Sequence, residues 1–321
     1  MDKVKVGFIG AGGLANSKHY PSLHEIEDAE IVGLSDLVQE RMDQTAEKFN
    51  IKNKFTDYKE LIEKTSPDAV YIVMPPHILY DIAAHCLNLG LHVFIEKPPG
   101  VTKDQTRQMA NIAEKKGSLT MAGFQRRFSP VLAEAKRMVD ERGGVLQCQA
   151  NFFKYAVDRP PYYQGAIDIL TCDAIHAVDI LRWMGGDVKK VASVVSSLFA
   201  SHDNRFCALM EFESGAAGYL STNWTSGKRV YSVEMHGKGI LAFADPEEDA
   251  KVYKDGNKEV EVVKAETFTG EKDPDSYKNT GFFHENRHFI DCIKTKTQPE
   301  TNFADAYKTM ELVDRIYHSQ L

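Results

Sequence analysis

Val6-Gly7-Phe8-Ile9-Gly10-Ala11-Gly12-Gly13-Leu14-Ala15 is an apolar run that breaks into G-x-G-x-x-A and then turns helical. Gly10 permits a tight turn, and Gly12 lets backbone approach a pyrophosphate. Gly13 and Leu14 carry the chain round, and Ala15 allows a helix to pack closely on the strand behind it. The amides at the start of that helix then face the phosphates with its positive dipole end. A second apolar run, residues 30–35, ends at Asp36, whose carboxylate can accept both ribose hydroxyls and repel a 2′-phosphate. That favours NAD over NADP, with nearby Arg41 as the opposing sign. A helix cap is the other reading of Asp36.

Outward from this motif, short apolar runs at 4–9, 30–35, 69–74, 91–95 and 119–122 alternate with helical periodicity at 39–49, 78–89 and 103–116. Runs rich in Val and Ile without polar alternation read as strands buried on both faces, hence a parallel sheet covered by helices. After Phe124 the pattern changes. A helix over 130–141 precedes a strand over 145–155 and a buried helix over 166–184. Strands follow at 188–199, 205–212, 216–224, 230–235, 240–244 and 259–263, and two helices (282–294 and 302–318) close the chain. The fold class expected is α/β: a doubly wound Rossmann domain over 1–122, then an α+β domain over 123–321 with an open, mainly antiparallel sheet. An uncovered sheet face predicts a homodimer or homotetramer built through it.

The chain has 321 residues, and 39 Lys+Arg against 46 Asp+Glu give 39 − 46 = −7. This mild acidity argues against nucleic acid as the main partner. The longest apolar run falls well short of the roughly 18–20 residues that span a bilayer. The opening Met1-Asp2-Lys3 leads straight into a strand-like run. Five scattered cysteines without a C-x-x-C pair make neither a disulfide framework nor a zinc site. The expectation is a cytoplasmic protein with a small-molecule substrate, no membrane and no metal.

Met74-Pro75-Pro76-His77, Glu96-Lys97-Pro98, Gly123-Phe124-Gln125-Arg126-Arg127-Phe128 and Ile175-His176-Ala177-Val178-Asp179, in this order after the glycine motif, resemble the Gfo/Idh/MocA oxidoreductases. Glucose–fructose oxidoreductase and inositol dehydrogenase are of that family. The resemblance covers essentially the whole chain and implies an NAD(P)-dependent oxidoreductase acting on a secondary hydroxyl or carbonyl of a sugar, sugar derivative or cyclitol. It implies Pro75, His77, Glu96, Lys97 and Gln125 on the cofactor, and Gln125, Arg126, Tyr155 and Tyr163 on the substrate side. The residues support this separately: Lys97 follows the fifth strand, where crevice groups of a doubly wound sheet project, and a partly desolvated ammonium there stabilises a developing alkoxide. His176 titrates near neutrality and can take the hydroxyl proton. Asp173 shares a helix face with His176 and is the third catalytic candidate. The sequence departs from the family pattern D-x-G-x-H-x-x-D. Cys172 stands four residues before His176 in place of Asp, Ala174 replaces Gly, and Asp173 is displaced by one. A redox-neutral glycosidase or lyase using held NAD, and a non-catalytic nucleotide sensor, are the alternatives.

His284-Glu285-Asn286-Arg287-His288 matches the H-E-x-x-H zinc-protease pattern, but the helical wheel puts both histidines opposite the apolar stripe, so no metal is expected there. Glu247-Glu248-Asp249 reads as a solvated turn.

Overall fold

The computed structural model describes residues 3–157 and 159–321. Residues 1 and 2, the start of the expected first domain, and position 158 within the irregular segment 156–164 lie outside the described residues. Contacts divide the chain into two units: residues through Phe124 with Phe282–Tyr307, and Gln125–Gly281 with Lys308–Leu321. The first of the closing helices, grouped by its sequence position with the second domain, thus packs in unit 1. Its Phe289 and Ile290 are fully buried, Phe289 against Tyr71 and Phe94, and at the surface Arg287 and Lys294 both reach Asp28. These contacts, led by the Arg287 hydrogen bond, hold the Asp28 carboxyl well below its ordinary value.

Unit 1 is a six-stranded parallel sheet of β1 (Val4–Ile9), β2 (Ala29–Ser35), β3 (Lys54–Phe55), β4 (Ala69–Ile72), β5 (His92–Glu96) and β6 (Thr120–Gly123). Their order is β3-β2-β1-β4-β5-β6, so the chain reverses direction across the sheet between β1 and β4. All four residues of β4 are buried, the expected mark of a strand covered on both faces. The apolar run 69–74 stops short as a strand because Pro76 opens the next helix, Pro76–Asn88. The helix Lys103–Lys116 starts where Thr102 Oγ1 accepts from Gln105 N and ends at Gly117 in the left-handed region. Strand β3 and the helix Tyr58–Thr65 escape the sequence pattern, since a two-residue strand has no periodicity to detect.

Unit 2 is built on an eight-stranded sheet of β7 (Gln147–Tyr155), β8 (Val188–Ser196), β9 (Arg205–Phe212), β10 (Ala217–Asn223), β11 (Thr225–Gly237), β12 (Ile240–Ala244), β13 (Asp249–Lys254) and β14 (Val260–Lys264). The order is β14-β13-β12-β11-β7-β10-β9-β8, mainly antiparallel as expected but not a simple succession of neighbouring strands. Strand β7 enters between β10 and β11, parallel to the first and antiparallel to the second. Strand β13 begins at Asp249, inside the stretch read as a turn, and only Ala250 and Val252 bury within it. One face carries the helices Pro130–Asp140 and Ile175–Gly185. The predicted helix 166–184 is interrupted: residues Leu170–Ala174 form a π-helical turn before the regular helix begins. Among the described residues no helix is long and apolar enough to cross a membrane, and none of the five cysteines is in a disulfide.

The core of unit 2 contains a charge cluster. Arg127 meets Asp179 through two hydrogen bonds, Nε to Oδ2 at 2.7 Å and Nη2 to Oδ1 at 2.5 Å. Thr309 Oγ1 adds a third donor to the same carboxylate at 2.9 Å, and Arg182 donates to that threonine. Both charged groups are buried, so each makes the other's desolvation tolerable. Asp179→Ala is expected to cost about 3–5 kcal/mol of stability, because it removes the carboxylate that neutralises a buried guanidinium. Urea unfolding checks this, with Asp179→Leu/Arg127→Met expected to recover part of the loss.

Candidate active site

Gly10 lies at φ +109°, and a Cβ there would come within 2.3 Å of Val73 O. Only glycine lets β1 turn out against the end of β4. Gly12 and Gly13, by contrast, would meet nothing within 4 Å, so their backbone borders open space. Ala15 is fully buried behind them, and Leu14 is partly exposed. Asn16, which the motif does not specify, braces the turn by donating to Ala11 O at 2.9 Å and to Gly12 O at 3.3 Å. Its position four residues after Gly12 is the helical spacing that brings a side chain back over that carbonyl.

Asp36 directly follows β2, which ends at Ser35. Its Oδ2 accepts from Ala11 N at 2.7 Å and its Oδ1 from Val38 N at 2.8 Å, so it ties the end of β2 to the glycine turn. The next helix, Gln39–Lys48, takes no side-chain cap, so the capping reading of Asp36 does not hold. Arg41 approaches Asp36 at 3.4 Å from a largely exposed position. Beside Asp36 lies a cavity of about 280 Å³ whose apolar walls include Ile9, Leu37, Met74, Ile78 and Ile82. Pro75 and His77 stand at the start of the helix that forms one of these walls.

Glu96 is the last residue of β5 and is buried. Lys97 follows it, half-buried, with a cis peptide to Pro98. The Glu96 carboxylate accepts from His19 Nε2 at 2.8 Å and from Lys97 N at 3.0 Å.

In unit 2, Cys172 and Asp173 lie in the π-helical turn and His176 in the first turn of the helix after it, all three buried. Asp173 accepts hydrogen bonds from Lys154 and from the Tyr162 hydroxyl. Trp224 Nε1 donates to that hydroxyl at 3.4 Å. Burial, then the Asp173 charge, push the Tyr162 phenol well above its ordinary value, so it stays a donor. Tyr163, the tyrosine expected here, is 47% exposed, as is Tyr155 at 65%. The reason is backbone: Tyr163 and Gln164 both take positive φ, which sends two adjacent tyrosines different ways. Lys154 and Tyr162 are thus the neighbours that sequence reading misses.

Gln125 and Arg126 are buried at the start of unit 2. Arg126 donates to Glu247 at 2.9 Å and stacks over Tyr231 at 4.0 Å, while Arg127 turns to Asp179. Glu247 also binds Arg229, so the supposed solvated turn is a bridge between two guanidinium groups. Burial alone would raise the Glu247 carboxyl, but Arg229 and Arg126 outweigh it and bring it down to about 2.

Residues 4–124 match a family model described as an oxidoreductase family with an NAD-binding Rossmann fold, and residues 136–320 match the same family's C-terminal alpha/beta domain. The chain belongs to the Gfo/Idh/MocA oxidoreductase family. It is 26% identical over 329 residues to D-xylose 1-dehydrogenase (NADP(+)) 2 of Haloferax volcanii, covering 98% of this chain and 96% of that protein. It is also 26% identical over 237 residues to scyllo-inositol 2-dehydrogenase (NAD(+)) of Bacillus subtilis, covering 70% of this chain and 68% of that protein. Levoglucosan dehydrogenase, solved with NADH and L-sorbose, has the same fold, with a TM-score of 0.87 at 21% identity over 99% of this chain and 97% of that one.

The residues present fit the family's dinucleotide. The open backbone at Gly12 and Gly13 would take the pyrophosphate, Asp36 the ribose, and the apolar cavity beside Asp36 a purine. Among the described residues, neither histidine of the H-E-x-x-H helix stands in a metal-type cluster. Among the described residues the group of this kind is His19, Glu96 and Glu285, and His288 Nε2 instead accepts from Glu300 N at 3.0 Å.

A carboxyl depressed on folding adds stability above its unfolded value of about 4.5, and that contribution is lost as pH falls toward about 2. The stability gap between wild type and Glu247→Gln is therefore expected to be constant near neutrality and to close across that acid window. Denaturant titrations at stepped pH measure it.

Proposed function

We propose that this protein is a dehydrogenase that uses NAD in preference to NADP and moves a hydride between the nicotinamide and a secondary hydroxyl or carbonyl of a sugar, sugar derivative or cyclitol. The observation that carries the reading is Lys97, held directly after β5 at the carboxyl edge of the parallel sheet, on the backbone that follows the buried Glu96. Support for the substrate class comes from the names of the two relatives above, one a pentose and the other a cyclitol dehydrogenase. Support for NAD comes from Asp36, whose carboxylate opposes a 2′-phosphate, while Arg41 is drawn to that same carboxylate.

When bound, the nicotinamide supplies the hydride acceptor. Lys97 donates to the substrate oxygen and stabilises negative charge as it develops there. His176 takes the hydroxyl proton. Asp173, already accepting from Lys154 and Tyr162, presents a fixed carboxylate that orients neighbouring hydroxyls rather than a free base. In this reading Cys172 leaves the orienting role to Asp173, and Gln125 and Arg126 border the substrate.

We further propose that a second copy of this chain covers the outer face of the eight-stranded sheet. Registered pairs align Leu209, Tyr219, Gln149, Glu234, Phe243, Lys251 and Val262 in one row, of which Leu209, Tyr219, Phe243 and Val262 are exposed. Such a row of large apolar groups on open strands favours burial in an isologous interface.

Two outcomes are expected. Screening NAD and NADP against sugars, nucleotide sugars and inositols should show net NADH formation with at least one of them. Lys97→Ala should lower that turnover by about 10³-fold or more while NAD still binds; turnover without net NADH would instead favour a redox-neutral reaction. Leu209→Asp/Tyr219→Asp should shift sedimentation from an oligomer to a folded monomer.

A further inference from the structure

His19 is completely buried, though it stands only four residues after Ala15. It ends the π-helical turn Ala15–His19 that follows the glycine motif. Its ring is enclosed by Phe94 and Phe282, each 5.3 Å away, and by Tyr71 at 6.3 Å. Both nitrogens are used. Nε2 binds Glu96 Oε1 at 2.8 Å, and Nδ1 meets the Asn286 side-chain amide at 3.3 Å. Asn286 is itself set by donating to Phe282 O at 2.7 Å. The imidazole therefore has one position, with Nε2–H aimed at a carboxylate.

The other Glu96 oxygen accepts from Lys97 N at 3.0 Å. The carboxylate rests against Gly123 on β6, where a Cβ would lie 2.9 Å from Oε1. Glu96 is thus a short rod with the glycine-motif turn at one end and the Lys97 backbone at the other. We propose that His19 is a positioning residue for Lys97, acting through Glu96 so that the turn that receives the cofactor phosphates also sets the ammonium. This rests on the reading that Lys97 polarises the substrate oxygen.

Desolvation makes the Glu96 carboxylate depend on the His19 ring. Glu96 and Glu285 bring carboxylate oxygens within 4.8 Å of each other and of a His19 nitrogen, all three residues buried. Two carboxylates so close in low dielectric repel, and the Nε2–H that His19 directs at Glu96 offsets part of that cost. Without it, the Glu96 carboxylate loses its partner at Oε1 and is free to turn, and Lys97 N loses its acceptor. The nucleotide cradle itself, made by Gly10, Asn16 and Asp36, keeps its own hydrogen bonds.

The test compares His19→Gln, His19→Asn and His19→Leu in the full chain. A glutamine amide reaches the place of Nε2, whereas an asparagine amide reaches only that of Nδ1. His19→Leu and His19→Asn are expected to lower kcat by about 10- to 100-fold, the usual effect of misplacing a catalytic group by about 1 Å. His19→Gln should stay within about threefold of wild type, and the NAD Kd should move less than about twofold in all three. His19→Leu/Glu96→Gln should be no slower than the slower single variant, because both act through one link. Equal losses in His19→Gln and His19→Asn, a loss confined to NAD affinity or thermal stability, or multiplicative effects in the double variant would overturn the proposal. Lys97→Ala separates the two levels: if it keeps turnover, the functional reading fails, whereas if it loses turnover and His19→Leu does not, only the His19 link fails.

Discussion

A parallel sheet releases every strand at the same edge, and that constraint organises the chemistry of unit 1. The turns after β1, β2, β4 and β5 must share one rim, because each strand returns only through a crossover on the sheet's faces. Gly10, Asp36, Pro75 and Lys97 each stand at the end of one of these strands. Far apart in sequence, they become neighbours by topology alone. Crowding at that rim is severe enough that Gly10 cannot carry a Cβ against Val73 O. The same crowding lets Asp36 serve two turns and Glu96 hold both the His19 ring and the Lys97 backbone.

Unit 2 solves a different problem. Its sheet is mainly antiparallel, with helices on one face, and its functional candidates hang from a helix and a strand end rather than from a row of turns. Buried charge is handled there by pairing. Arg127 neutralises Asp179, Arg126 and Arg229 share Glu247, and Lys154 with Tyr162 satisfies Asp173. Each pair fixes side chains that solvation would otherwise leave mobile, which is what a site needs if its groups are to meet a substrate already oriented. The π-helical turn at Leu170–Ala174 sits where the sequence departs from the family's helix pattern, and it carries both Cys172 and Asp173.

Much of this was legible in the chain itself. Local signals are strong where one residue type has one physical use, as with the glycines at 10, 12 and 13 before a helix. Periodicity located the long strands and helices for the same reason. It failed at β3, which is too short, and at β13, where charged residues alternate with only two buried apolar ones. It also failed for the helix after Gly281, whose wheel showed an apolar stripe but not the buried Glu285 and Asn286 beside it.

The amino-acid order alone determined the doubly wound sheet and the nucleotide motif, because those depend on spacing within a dozen residues or so, whereas Lys97 and His176 became candidates through the resemblance of their motifs to a known family. Only the folded chain decided partners. That Tyr162 meets Asp173 depends on a turn with two positive φ angles; that Glu247 bridges two arginines brings together residues 121 and 18 apart; that His19 grips Glu96 follows from a sheet edge shared by residues 77 apart. Pairing energy between side chains depends on distance in space, and spacing along a sequence carries that distance only as far as one helix turn or one strand.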